Sequence, residues 1–345
     1  FESALEDPEV DIVVETMGGL EPAFTFVRSA LERGKSVATS NKELVAKHGV
    51  ELLTLAKEKN INFFFGASVG GGIPIIRPML RSLCADDIEE VTGILNGTTN
   101  YILTKMAQEG SSFEDALREA QDTGFAERKP EADVEGFDAC RKIAILSSIA
   151  LGRQVDFEGI PTEGITGITK EDFLYAAKLG WAIKLLASSR KENGHVYAMV
   201  APALVQPAHP LFAVCDVFNG IMVHGNMVDD VMFYGRGAGS HATASAVTAD
   251  VMDAARHLHQ NIYAGWSGEK QELSDVGSWE KQFLIRVEGD ASREAELAQA
   301  FGQGILVDAG VAGEVGYLTP VISEKEFADA AASLSGVRGR IRVQA

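Results

Sequence analysis

Basic residues are in short supply. Lys and Arg number 31 against 49 Asp and Glu, a formal net charge of −18, which argues against nucleic acid or an anionic membrane surface as the main partner. Cysteine is nearly absent. Cys84, Cys140 and Cys215 stand far apart, too scattered for a disulfide framework or a thiolate metal site, and a reducing compartment fits them. No apolar run approaches the ~18 residues that a membrane-spanning helix needs. The opening residues FESALEDPEVD are acidic and carry no apolar signal core, so no secretory leader is expected. The seven histidines fall into no H-E-x-x-H or comparable spacing, so no zinc site is expected. No nucleophile elbow and no Cys–His arrangement stands out, and no internal repeat is visible. A cytoplasmic enzyme is the class these absences leave.

What is present is the balance of a globular protein: 46% hydrophobic and 23% charged residues over 345 positions, long enough for two or three domains. Residues 10–15 form a short β-branched run and 21–33 a helical pattern stopped by Gly34. Residues 36–40 are a second strand, 42–59 a second helix and 61–65 a third strand. Strand–helix–strand–helix–strand implies right-handed crossovers and a parallel sheet, part of a doubly wound α/β nucleotide-binding fold. The G-x-G-x-x-G turn that normally opens such a fold is missing before Val10, so the expectation is an N-terminally truncated chain with weakened cofactor binding. Beyond Phe65 come a glycine-rich loop (66–74), a helix to Leu83, a strand (88–97), helices at 99–109 and 112–123, a polar loop (124–133) and one long helix over 133–151. Strands of a mixed or antiparallel sheet follow over 194–233. A second glycine-rich turn (234–244) opens a helix to about His259, 261–281 reads as a linker, and the remainder reads βαββαβ.

Several residues carry a chemical reading beside a plainer one. Val134, Asp138, Lys142, Ile145 and Ile149 share one helical face, so two opposite charges interrupt an apolar stripe. Either Asp138 and Lys142 are a solvated i,i+4 pair, or they are a partly buried ammonium held by a carboxylate and able to donate a proton or polarise a carbonyl. Glu127 and Asp133 are loop acids that suit a substrate ammonium or simply face solvent. In the turn LNGTTNY, Thr98 or Thr99 is the expected N-cap, and Gly97 would let the backbone approach a ligand. Lys42 follows a strand at the carboxyl edge of the parallel sheet, where ligands bind. The run Gly70 to Gly72 offers carbonyls to a monovalent cation or is only a turn, and GRGAG (235–239) offers N–H groups to a phosphate, a weak signal alone.

Six segments in order — VVETMGGLEPA, ATSNKELVA, ASVGGGIPII, LNGTTNYIL, GFAERKPEADVEGFDACRK and FYGRGAGSHATASAV — closely resemble homoserine dehydrogenase over about residues 10–260. The tail resembles a bacterial ACT-type regulatory domain. The resemblance implies NAD- or NADP-dependent, reversible reduction of L-aspartate 4-semialdehyde to L-homoserine. It implies a partial Rossmann-type domain (1–65 with about 235–260), an α+β substrate and dimerisation domain (66–234), the linker, and a regulatory domain at 282–345. By position, Lys142 matches the family's catalytic lysine, with Asp138 beside it. Glu127, Asp133, Gly97 and Thr98 match the substrate site, Lys42 a lysine near substrate and nicotinamide, and Gly239 a glycine near the cofactor. Val69, Gly71 and Ile73 match carbonyls that hold a sodium ion, although Gly66 stands where the family usually has the completing Glu. Asn226 and Asp230 depart from the usual acid–glycine–acid pattern after the HG turn. L-threonine is the implied effector, and a homodimer or homotetramer the implied assembly. Two rivals are weighed beside this. One is another semialdehyde or amino-acid dehydrogenase built on the same frame, whose nucleophilic-cysteine type needs an activated thiolate. The other is a non-catalytic amino-acid-binding protein that senses ligand through its tail.

Overall fold

The structure is a computed structural model that describes residues 1–262 and 265–344; Tyr263 and Ala264 of the expected linker, and Ala345 of the tail, lie outside the described residues. The chain opens with α1 (Glu2–Glu6), β1 (Ile12–Glu15), α2 (Ala23–Glu32), β2 (Ser36–Thr39), α3 (Lys42–Glu58) and β3 (Phe63–Phe64). β1, β2 and β3 pair in parallel in that order, as the alternating strand and helix patterns predict. Asn41 caps α3 by accepting the Leu44 amide at 3.1 Å.

A second layer follows: α4 (Ile76–Arg81), β4 (Ile88–Ile94), α5 (Gly97–Glu109), α6 (Phe113–Asp122), α7 (Glu131–Val134), α8 (Phe137–Leu151), β5 (Arg153–Gln154), α9 (Lys170–Leu179), β6 (Ala182–Glu192), β7 (His195–Val205), β8 (Phe218–Gly225) and β9 (Asp229–Arg236). α10 (Ser240–Arg256) then returns to pack on β1 and β2. The remainder is β10 (Ser267–Lys270), β11 (Glu280–Glu288), α11 (Glu294–Phe301), β12 (Ile305–Val307), β13 (Glu314–Leu318), β14 (Ile322–Ser323), α12 (Glu324–Ala332) and β15 (Val337–Gln344).

The second sheet runs β12-β13-β11-β15-β7-β6-β4-β8-β9, with β14 on β11. Its tail strands are continuous with the middle strands because β15 pairs in parallel with β7, Arg342 opposite Ala203. β6 and β7 form a hairpin whose turn, Asn193–Gly194, has both residues at positive φ, the geometry that Asn-Gly favours. Neither β6 nor α9 stands out in the sequence reading. The stretch 261–281 is also more than a linker: β10 pairs with β5, and Trp266 and Trp279 are buried.

One expectation fails locally. The pattern 133–151 predicts a single helix, whereas α7 and α8 are separated at Gly136, which has φ +84°. Val134 therefore does not share a helix with Asp138 and Lys142. α8 itself is buried nearly all round; it packs against β4, β6 and β7 and against α3 and α4. A helix in that position carries any charge it bears into the interior between the two sheets.

Candidate active site

A cleft of about 670 Å³ opens between the layers. One wall is the carboxyl edge of the parallel sheet, through Met17, Gly18 and Gly19 after β1 and Ser40, Asn41 and Lys42 after β2. The opposite wall holds Asn96, Gly97 and Thr98, the loop residues 124–127, and Asp133, Asp138 and Lys142; Arg236 to Gly239 close one side.

Within it the charges form a bonded cluster. Lys142 Nζ donates to Asp138 Oδ2 at 2.7 Å and to the Leu95 carbonyl at 2.7 Å, and both side chains are buried. The solvated-pair reading is therefore excluded. Two acceptors use two of three ammonium N–H groups, which leaves the third for a ligand. Asp138 Oδ1 pairs with Lys42 Nζ at 3.0 Å. Asn96 Nδ2 donates to Asp133 Oδ1 at 2.7 Å and to Asp138 Oδ2 at 2.8 Å. Burial works to raise the Asp138 carboxyl, yet Lys142 and Lys42 more than offset it and hold Asp138 well below the usual carboxylate range. Asp133 goes the other way: burial, then the charge of Asp138, push it up. Asp138 in turn raises Lys42, against burial. Neighbouring carboxylates driven apart in this fashion are a pattern that functional sites share with buried ion-pair networks.

Asn96 and the Leu95 carbonyl were not singled out by the sequence. The N-cap of α5 is Asn96, whose Oδ1 accepts the Thr99 amide at 2.8 Å; Thr98 instead donates to the Phe125 carbonyl at 2.7 Å. The preference of Asn for the N-cap was the available signal, masked by two adjacent threonines. Asn219 was also missed. It is fully buried, and its amide makes no hydrogen bond among the described residues. A Cβ at Gly237 would lie 2.1 Å from its Nδ2, so the Arg236–Gly239 turn rests directly on it. Glu127 lines the cleft from an exposed position and makes no side-chain bond to the buried cluster among the described residues.

The wall formed by the edge of the parallel sheet and the start of α10 has room for a ligand's close approach. Gly239, the N-cap of α10, has φ +108°, and nothing lies within 4 Å of where its Cβ would be; Gly18 and Gly19 are likewise open. Asn41 tethers this wall by donating to the Gly19 carbonyl at 2.7 Å.

The loop holding Val69, Gly71 and Ile73 packs against the same turn, with the Gly72 amide on the Arg236 carbonyl at 3.2 Å. The Ile73 carbonyl accepts from the Ile75 amide at 2.8 Å. Beside Gly66, Asp250 accepts its amide at 2.7 Å and pairs with Arg77 at 2.7 Å. A Cβ at position 66 would meet Asp250 Oδ1 at 2.8 Å, so a larger residue there would have to displace the Asp250 carboxylate. Asn226 and Asp230 lie at the β8–β9 hairpin, where Asn226 accepts the Asp87 amide and Asp230 pairs with His224. None of the three cysteines lines the cleft, and burial raises the Cys140 thiol, which counts against the nucleophilic-cysteine rival.

Comparison with known proteins agrees. The family model described as homoserine dehydrogenase matches residues 74–252, and that for the homoserine dehydrogenase NAD-binding domain matches 1–66. The homoserine dehydrogenase of Bacillus subtilis is 40% identical over 304 residues, 87% of this chain and 70% of that protein. A crystal structure of the Thiobacillus denitrificans homoserine dehydrogenase superposes with a TM-score of 0.90 at 37% identity, covering 99% of this chain and 83% of that one. A hyperthermophilic archaeal homoserine dehydrogenase in complex with NADPH gives 0.63 at 31% identity, covering 74% of each chain. With its parallel-sheet nucleotide domain and a likeness that runs across nearly its whole length, the chain belongs to the homoserine dehydrogenase family of NAD(P)-dependent oxidoreductases.

Proposed function

We propose that the cleft around Lys142 is where this oxidoreductase interconverts L-aspartate 4-semialdehyde and L-homoserine. The observation that carries the reading is the buried Lys142 ammonium, held by Asp138 and the Leu95 carbonyl with one N–H left over. The nicotinamide cofactor, NADP or NAD, supplies or accepts the hydride. Lys142 stabilises negative charge on the substrate oxygen more strongly as an alkoxide than as a carbonyl, which is the differential binding that accelerates a reaction. It gives its proton to that oxygen during reduction and takes it back in the reverse direction. Asp138 keeps Lys142 and Lys42 in register. Asp133, with Glu127 at the rim, binds the substrate ammonium, while Gly97 and Thr98 admit the substrate beside the N-terminus of α5. Lys42 reaches toward both substrate and nicotinamide, and Gly239 lets the cofactor approach α10.

The wider assignments rest on family likeness. The proposed division is 1–65 with about 235–260 for the cofactor, 66–234 for substrate and dimer contacts, and 282–345 as an ACT-like unit responding to L-threonine. The order β11, α11, β12, β13, β14, α12, β15 supports the ACT-like unit, and the response to L-threonine rests on the likeness alone. A homodimer or homotetramer in the cytoplasm is the matching assembly and location; among the described residues no helix is long and apolar enough to cross a membrane. A sodium ion on the carbonyls of Val69, Gly71 and Ile73 would share the Ile73 carbonyl with the Ile75 amide and would find Asp250 already paired with Arg77. In the full-length protein, Asp133→Asn is expected to raise KM for L-homoserine about tenfold or more, as loss of a charged contact does. An unchanged KM would remove Asp133 from the site.

A further inference from the structure

Glu163 lies outside the cleft, in the segment between β5 and α9, yet it connects the C-terminal strands to the turn beneath the catalytic pair. Arg342 is buried and donates to Glu163 through both terminal nitrogens, Nη1 to Oε2 at 2.9 Å and Nη2 to Oε1 at 2.8 Å. Arg340 adds a third bond to Oε1 at 2.9 Å. Arg342 is itself fixed by Glu324 at the start of α12. On its other side the Glu163 segment lies directly on the α7–α8 turn. The Ile165 amide donates to the Val134 carbonyl at 2.8 Å. A Cβ on Gly164 would come within 2.2 Å of that same carbonyl, and one on Gly136 within 3.0 Å of Thr162 Cγ2. The Glu163 amide is anchored on the Val200 carbonyl at 2.8 Å.

That turn is all that separates Asp133 from Asp138, and Asn96 spans the two carboxylates. Their spacing therefore depends on how α7 sits against α8. At Gly164 the contact is backbone on backbone, and at Gly136 the Thr162 and Val200 methyl groups close the gap, so close packing transmits a displacement instead of absorbing it.

We propose that Glu163 is a positioning residue for the substrate site: gripped by Arg340 and Arg342, it holds residues 162–165 on the Val134–Gly136 turn and so sets Asp133 against the Asp138–Lys142 pair. The C-terminal strands thereby act on the substrate end of the cleft without entering it. The cofactor wall, built from β1, β2 and α10, makes no use of this contact. The Glu163 carboxyl fits a standing ion pair: burial would raise it, but Arg342 and Arg340 bring it down to about 2. This inference rests on the site reading given above.

The test is steady-state kinetics on full-length Glu163→Gln, Arg342→Gln, the double variant and Lys142→Met. Glu163→Gln is expected to raise KM for L-homoserine by about three- to thirty-fold, the range for residues that act on a site from outside it. KM for the nicotinamide nucleotide stays at the wild-type value. Arg342→Gln should reproduce the effect on KM, since it removes the same Glu163–Arg342 contact along with the Glu324 pair, and the double variant should add little to it. Arg340→Gln, which leaves the Arg342 grip intact, gives a milder variant should either of these fail to fold. A thermal midpoint that falls while both KM values hold, or both KM values rising together, overturns the proposal. Inactive Lys142→Met beside a Glu163→Gln enzyme of wild-type KM refutes the clamp alone, whereas active Lys142→Met refutes the site reading on which it rests.

Discussion

Asn96 is the residue whose removal separates a charge-setting role from a merely structural one. Its amide holds Asp133 and Asp138 together, and its bond is among the influences that lower the Asp133 carboxyl. In Asn96→Ala, burial and the Asp138 charge act on Asp133 unopposed by that bond, so its pKa climbs further. Asp133 must be ionised to bind an ammonium. The acid limb of kcat/KM for L-homoserine should therefore move to higher pH, and a pH–rate profile with an unmoved limb would exclude this role. Loss of the α5 cap should also cost about 0.5–2 kcal/mol in denaturant unfolding. At this scale the sequence is informative where spacing is local. Asp138 and Lys142 are four apart on one helix, and helix geometry alone brings them together. Lys42 meets Asp138 only after the two layers close on each other, and no local pattern encodes that meeting. The same holds for Asn96, whose partners lie 37 and 42 residues away.

Between elements, Asp250 of α10 ties the loop after β3 and α4 together through the Gly66 amide and Arg77. Burial outweighs Arg77, and the carboxyl is pushed up to about 6 from an ordinary 3.8. The folded state therefore binds more protons than the unfolded chain between these values, and this group's contribution to stability falls as pH rises through that window. Asp250→Asn can still accept the Gly66 amide. The stability difference between variant and wild type, followed by urea unfolding from pH 4 to 7, should shift in the variant's favour as pH rises, and a constant difference would contradict the assignment. The elements themselves were largely legible, since β1 to β3 and the intervening helices follow from β-branched runs and apolar periodicity. The division at Gly136 was not. A lone glycine inside a helical pattern is compatible with continuation or with a break, and what decides here is the segment 162–165 filling the space beside it.

For the whole molecule, the governing feature is a sheet that runs unbroken from the catalytic layer into the tail. Its register was illegible because β7 and β15 are far apart in sequence, and nothing in either names its partner. Arg286 of β11 fastens the same junction from the other side, with Asp172 at 2.8 Å and Glu314 at 2.9 Å, all in buried or nearly buried positions. Arg286→Met would strand two carboxylates, at about 3–5 kcal/mol. Chemical denaturation should show that loss, and adding Asp172→Asn and Glu314→Gln should recover part of it; no recovery would mean that packing, not charge, holds the junction. The chemistry of the cleft turns on Lys142, and the most direct measurement is kcat for aldehyde-dependent NADPH oxidation by full-length Lys142→Met beside the wild-type enzyme. Asp138 keeps Lys42 and Asn96 as partners, so the variant should fold with a stability change under about 1.5 kcal/mol. Its kcat is expected to fall by about 10²–10⁴, the contribution of a proton donor in place. A folded Lys142→Met enzyme that keeps more than about a tenth of wild-type kcat would contradict the account, since even the weakest acid–base contribution exceeds that loss.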